Sequence, residues 1–183
     1  MENKKSVVNA YDFVSMTVSA VIIVAVIFTF FFKISTVSGK SMENTLHNGD
    51  QLIISAIPGE IEYGDVVVVS QPNVYSKVLI KRVIAVGGQT IKFDAVNNQV
   101  SVDGKVVDEP YIKEEMEYTF STSKEYVVPE GKLFLMGDNR NYSADSRDIR
   151  IGMVDEDYVV GKVIYRFGDK AIFNSDFMEA YNG

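Results

Sequence analysis

Hydrophobic and polar positions divide this chain into two parts of different character. Residues 13–32, FVSMTVSAVIIVAVIFTFFF, hold 20 positions without a charge, with Ser15, Thr17, Ser19 and Thr29 the only polar members. At about 1.5 Å of rise per residue a helix of this run spans roughly 30 Å, the hydrocarbon thickness of a bilayer. A cleavable leader has a shorter apolar stretch, about 7 to 15 residues, and a small-residue exit; this run ends in Lys33 followed by Ile34-Ser35-Thr36. A buried core helix rarely runs this long without a polar face, and none is present. The pattern predicts a single transmembrane helix over 13–32 behind a short segment 1–12. Lys4, Lys5 and the terminal amine precede it, partly offset by Glu2 and Asp12, while Lys33 and Lys40 follow. That balance leans toward a cytoplasmic N-terminus and leaves 34–183 as an extracytoplasmic domain at the membrane surface.

After residue 33 the periodicity changes to short Val- and Ile-rich runs bounded by Gly, Pro, Asn and Asp. Strands are predicted over 51–57, 66–70, 78–86, 90–93, 99–102, 105–107, 126–128, 132–136 and 159–167. Asp103-Gly104 lies between two of these runs. It is a strong two-residue hairpin signal, because a type I′ turn needs positive φ at both central positions. No long amphipathic helix follows the anchor. The expected fold is mainly β, a single transmembrane helix followed by an antiparallel β-sheet domain, with 92–131 a hairpin-containing insertion. Its stretch 113–124, KEEMEYTFSTSK, reads as exposed.

Composition sharpens the picture by exclusion. The 183 residues carry 18 Lys and Arg against 25 Asp and Glu, a net charge of −7, and such a chain lacks the basic footprint of a general nucleic-acid binder. With 46% hydrophobic residues, 13 Gly and 4 Pro, it is neither disordered nor collagen-like. Cys is absent, which removes disulfide staples, thiolate nucleophiles and Cys-ligated metals. His47 is the only His. The mean hydropathy of +0.04 averages an apolar helix and a polar β-domain.

Three segments concentrate polar residues beyond what a β-domain needs. The first is Ser38-Gly39-Lys40-Ser41-Met42-Glu43-Asn44-Thr45-Leu46. Ser-Gly turns are ordinary loop chemistry, but Ser41 follows Lys33 by eight residues, so a reactive Ser here would stand at or just above the bilayer. In the second, Lys81 and Arg82 interrupt an apolar strand. Strand neighbours face opposite ways, so one cation is expected on the more buried face. A buried Lys loses its ammonium preference. To serve as a base near pH 7 it needs a drop of about 3 units from roughly 10.4, about 4 kcal/mol. The third, residues 136–147, alternates Asp138 and Asp145 with Arg140 and Arg147 among Asn and Ser. Surface ion pairs of that kind add little stability, whereas Arg holding a carboxylate bidentately fixes a loop.

A hydrolase without Cys is left with Ser-His-Asp, paired carboxylates, a metal or Ser-Lys. His47 is six residues from Ser41 in one loop-like segment; a triad there is cramped, and such a His reads as solvated. A metal would be held by carboxylates alone. Ser with a buried Lys is a recognised nucleophile–base pair.

The segments in their order resemble the type I signal peptidases, bacterial branch of peptidase family S26. The nucleophile box G-x-S-M-x-P-T-L is matched by Gly39, Ser41, Met42, Thr45 and Leu46, with Asn44 where the family has Pro. A G-D-x-V box is matched by Gly64, Asp65 and Val67, and the lysine box by Lys81, Arg82, Val83, Ala85 and Gly88. G-D-N-R-x-x-S-x-D-S-R is matched in full by Gly137, Asp138, Asn139, Arg140, Ser143, Asp145, Ser146 and Arg147. The resemblance implies a membrane-bound serine endopeptidase removing signal peptides from exported preproteins, with Ser41 as nucleophile and Lys81 as general base. It implies that Ser143 orients the Lys81 amine and that Asp145 pairs with Arg147, with Asp138 in the same supporting group. The Ser41 N–H and Gly39 would form the oxyanion hole. No cofactor, metal or nucleic acid is implied. The partners are preproteins, the lipid bilayer and the vicinity of the export channel. A different reading is a signal-peptidase-like, non-catalytic assembly factor for surface fibres, against which the presence of both Ser41 and Lys81 speaks. Another is a self-cleaving Ser-Lys repressor, which would carry a DNA-binding domain where this chain has its apolar run.

Overall fold

The computed structural model describes residues 2–72, 77–117, 123–167 and 172–173. Helix α1 (Glu2–Phe31) carries the apolar run, and from Tyr11 to Phe31 it is long and apolar enough to cross a membrane. Its described side chains are exposed throughout, as a helix without a domain face requires. The helix starts earlier than residue 13 and stops one residue short of 32. Phe32 instead opens a strand, and the Ala56 N–H caps the helix by donating to Phe31 O at 2.8 Å.

The strands are β1 (Phe32–Thr36), β2 (Gln51–Ser55), β3 (Val66–Val69), β4 (Leu79–Val86), β5 (Thr90–Asp94), β6 (Gln99–Val102), β7 (Lys105–Val106), β8 (Lys124–Val127), β9 (Lys132–Met136), β10 (Val154–Asp155), β11 (Val159–Phe167) and β12 (Ile172–Phe173). All described pairings are antiparallel. The larger sheet runs β1-β2-β11-β3-β4-β9-β10 with β12 beside β11, and the smaller runs β7-β6-β5-β8. The fold is thus mainly β, as expected. Among the described residues no α-helix follows α1, only 3₁₀ turns at Arg140–Tyr142 and Glu156–Tyr158.

Burial explains the pattern. Val66 and Val68 of β3 pack with Leu52, Ile54 and Val163 on one face of the larger sheet, while Val67 and Val69 join Val83, Leu133 and Leu135 on the other. A strand covered on both faces reads as a continuous apolar run, which is why β3 is VVVV. The smaller sheet closes a third cluster, in which Phe93 and Phe134 meet with ring centroids 5.8 Å apart. At the tip of β6–β7, Asp103 and Gly104 have φ of 50° and 77°, the positive pair that the turn demands. β9 pairs with β4 only from Arg82 onward. On that side, the edge of β4 over residues 79–81 has no ladder partner among the described residues.

Candidate active site

Residues 37–50 form the loop joining β1 to β2. Its neck is closed by the Val37 N–H to Asp50 O at 2.8 Å and the Gly49 N–H to Val37 O at 2.9 Å. Inside it, the Leu46 N–H donates to Met42 O at 2.8 Å, bringing two apolar side chains to the same side. Both are buried in the cluster of Leu52, Val66 and Val163, at about 2 kcal/mol each. Thr45 donates its hydroxyl to Asp138 Oδ2 and accepts on its carbonyl from Arg166 Nη1 at 2.7 Å. The loop carrying Ser41 is therefore seated on the sheet from beneath.

Lys81 and Arg82 point to opposite sides of β4, and both are buried, at 3% and 0% exposure. At least one cation was expected on a buried face; both are buried, because both faces of this strand are covered. The two meet burial differently. Arg82 keeps its charge through Nε to Asp138 Oδ1 at 2.9 Å and Nη2 to Asp138 Oδ2 at 2.7 Å, a bidentate pair completed by Gly64 O at 2.7 Å. Its guanidinium also lies 3.9 Å from the centre of the Tyr111 ring. Among the described residues, no carboxylate is bonded to Lys81. Its Nζ lies 2.7 Å from Ser41 Oγ and 2.9 Å from Ile80 O. Burial pulls its pKa down from 10.5 to about 8, against the opposing pull of the Asp145 and Asp138 carboxylates. An amine so held is bonded to the hydroxyl whose proton it would accept, and it is neutral in an appreciable fraction of molecules at neutral pH.

The 136–147 segment frames the pair. Asp145 accepts from Arg147 Nε and Nη2, each at 2.8 Å, and from the Gly137 N–H at 3.0 Å. Burial raises the Asp145 carboxyl, and the Arg147 bonds and charge outweigh it, leaving its pKa below the ordinary carboxylate value. Asn139 grips the Ser41 loop directly, through its N–H to Ser41 O at 3.1 Å and its Nδ2 to Lys40 O at 3.0 Å.

Two expected contacts differ. The buried Ser143 hydroxyl makes no hydrogen bond with Lys81; it lies beside the Asp145 carboxylate, which it helps hold below its ordinary pKa, and Ile80 O holds the amine in its place. The Gly39 N–H, expected to face an oxyanion, donates to Asn48 Oδ1 at 2.9 Å; Gly39 itself stands at φ 107°, a region open to glycine. His47 is solvated beside Asp50, its side chain 59% exposed. A cavity of about 290 Å³ opens over Ser41, walled by Val37 and Gly39 on one side and by Val78, Ile80 and Lys81 on the other.

A family model described as signal peptidase, peptidase S26, matches residues 10–167. The chain belongs to this signal peptidase family. It is 34% identical over 160 residues to signal peptidase IB of Staphylococcus aureus, covering 78% of this chain and 81% of that protein. With signal peptidase I of Bacillus licheniformis it shares 33% over 171 residues, 87% of this chain and 88% of the relative. A crystal structure of a signal peptidase I from Enterococcus faecalis aligns with a TM-score of 0.47 and 22% identity, over 57% of this chain and 97% of that one. The protein is a peptidase of signal peptidase type, with an N-terminal apolar helix of membrane-spanning length.

Three supports in this signal peptidase were not assigned a role from sequence. Asn139 and Gly137 lie inside the last motif, but their contacts run to Lys40 and Ser41, nearly a hundred residues away. A Cβ on Gly137 would collide with Ser41 O and the Ser143 side chain, so glycine permits the close approach of the two segments. Arg166, buried in β11, offered no local signal: its partner Thr45 O is reached only through sheet pairing.

Proposed function

We infer that this chain is a membrane-bound serine endopeptidase that removes N-terminal signal peptides from exported preproteins through a Ser41–Lys81 dyad. One observation carries the reading: a lysine only 3% exposed, with no carboxylate bonded to it among the described residues, holds its amine 2.7 Å from a serine hydroxyl. The neutral Lys81 amine takes the Ser41 proton as Oγ attacks the scissile carbonyl. The resulting oxyanion is met by the Ser41 N–H, the lysine proton passes to the leaving amine, and an acyl-enzyme remains. Lys81 then activates water to release it.

The substrate is an extended peptide laid along the open edge of β4, where main-chain bonds fix its path and alternate side chains enter the same cleft. The cleft of about 290 Å³ suits small side chains, in keeping with small residues at positions −1 and −3 of a signal peptide. The domain sits on the outer surface of the membrane, near the export channel, with 1–12 in the cytoplasm, α1 as the anchor and 34–183 as the catalytic domain. Membrane contact is supported by a second feature: Phe28 and Phe32 continue into an apolar hollow with Ile34, Ile53, Tyr165 and Phe167. Such a surface costs free energy in water.

The test is cleavage of a purified preprotein by the detergent-solubilised chain, reading the new N-terminus by mass. Ser41→Ala and Lys81→Met should each abolish it. Full activity in either variant refutes the dyad.

A further inference from the structure

The dyad requires Ser41 to be held where Lys81 can reach it, and one restraint on its loop comes from the other sheet. The Glu43 N–H donates to Lys40 O at 3.2 Å, making a four-residue turn with Ser41 at its second position. The Glu43 carboxylate, at the exit of this turn, accepts from Lys113 Nζ at 2.8 Å. Lys113 lies in the connection from β7 to β8, 70 residues away in the chain. Its own N–H donates to Asp138 O at 3.1 Å. One residue therefore bonds both walls of the site, the 137–147 loop through its backbone and the Ser41 turn through its side chain.

The Lys113 ammonium stands on a fixed support. Upstream, Glu109 holds Arg140 bidentately at 2.9 and 2.6 Å. Downstream, Asn141 Nδ2 donates to Glu115 O at 3.1 Å, and the Glu117 N–H donates to Asn141 Oδ1 at 2.8 Å. The shared hydrogen bond holds the Glu43 carboxyl below its usual value and Lys113 above its own, so both are charged at neutral pH.

We propose that Glu43 and Lys113 form a positioning pair, through which the smaller sheet holds the Ser41 turn in its reactive placement. This rests on the Ser41–Lys81 reading. Neither residue touches the reacting atoms, so the pair acts on the acylation rate through the geometry of the turn. The two side chains are 16% and 37% exposed, which limits the effect to that of a partly screened pair: about a threefold to fivefold loss in kcat.

The experiment compares full-length, detergent-solubilised wild type with Lys113→Ala, Glu43→Gln, Lys113→Arg, the charge-swapped double variant Glu43→Lys/Lys113→Glu, and Ser41→Ala. Each is assayed for kcat and KM on one preprotein and for thermal midpoint. The expected result is a kcat lowered about threefold to fivefold in Lys113→Ala and Glu43→Gln, with KM within about twofold and unfolding midpoints unchanged. Lys113→Arg and the swapped pair recover activity to within about twofold, and near 1 M salt the wild type falls toward the Lys113→Ala level. Unchanged kcat in both single variants, a swapped pair no better than the singles, or losses that follow the unfolding midpoint would each overturn the proposal. Ser41→Ala separates the two levels: full activity in that variant refutes the dyad itself, and its inactivity leaves the pair to be judged by the other variants.

Discussion

Replacing Lys81 with Met should make the folded protein more stable than wild type at neutral pH and less stable at high pH. The magnitude follows from the displaced pKa. Lys81 titrates at about 8 in the fold and near 10.4 in an unfolded chain. The folded state thus binds fewer protons than the unfolded state between those values, and stability rises with pH across that window. Below pH 8 the whole penalty is present, about 3 kcal/mol; by pH 10 less than about 1 kcal/mol of it remains. Met fills a similar volume without a charge and escapes this cost. It also forfeits the hydrogen bonds to Ser41 Oγ and Ile80 O, at about 1 kcal/mol each. Lys81→Met should therefore be about 1 kcal/mol more stable than wild type at pH 7, and about 1 to 2 kcal/mol less stable at pH 10. The assay is denaturant unfolding of both proteins in the same micelles at pH 7, 8, 9 and 10, followed by tyrosine signals because the chain has no Trp. All other groups titrate in both proteins and cancel in the difference. A wild-type-minus-variant difference that stays flat from pH 7 to 10 would mean that Lys81 keeps an ordinary pKa, and the buried-base reasoning would fall.

Three further outcomes are expected. With the base titrating at about 8, about a tenth of free enzyme is active at pH 7, so kcat/KM should rise close to tenfold toward pH 9 and then level; a profile flat over that range contradicts a Lys81 base. Gly137→Ala should lower cleavage by at least about a hundredfold with a folded circular-dichroism spectrum, since its Cβ would meet Ser41 O; near-normal turnover would show that the contact yields freely. Asp138→Ala should destabilise by about 3 to 5 kcal/mol, because it strands a fully buried Arg82 guanidinium; a loss under 1 kcal/mol in chemical denaturation would mean that the pair is solvated.

Much of this architecture was legible in residue order, and what was missed has physical causes. β9 and β11 fall on the predicted 132–136 and 159–167, where dense apolar patterning leaves one interpretation. β1 was hidden because Phe32 extends the apolar run and Lys33-Ile34-Ser35-Thr36 becomes a strand only by pairing with β2. β10, two residues long, exists only as a partner of β9. At the site, composition and elimination led to Ser41 and Lys81, and the fold brings those two side chains together. The alternation rule separated Lys81 from Arg82 but could not show that both faces were covered. Nor could it foresee that Asp145 and Asp138, distant in sequence, would hold the lysine near 8 when burial alone would carry it lower. The Gly39 amide and the Ser143 hydroxyl were assigned through resemblance, and their actual surroundings, Asn48 for one and the Asp145 carboxylate beside Gly137 for the other, are facts of packing.

The junction at Phe31 and Phe32 carries one more consequence. The helix passes into β1 without an intervening residue, and Phe31 O is tied to the Ala56 N–H at the end of β2. A domain on a flexible leash samples a volume that widens with leash length, and its effective concentration at any one spot falls accordingly. Here there is no leash. With α1 in the bilayer, as proposed, the serine nucleophile works at one altitude and one heading. Cleavage-site choice then becomes partly a matter of length, fixed by how far a substrate chain extends beyond its own membrane-embedded segment.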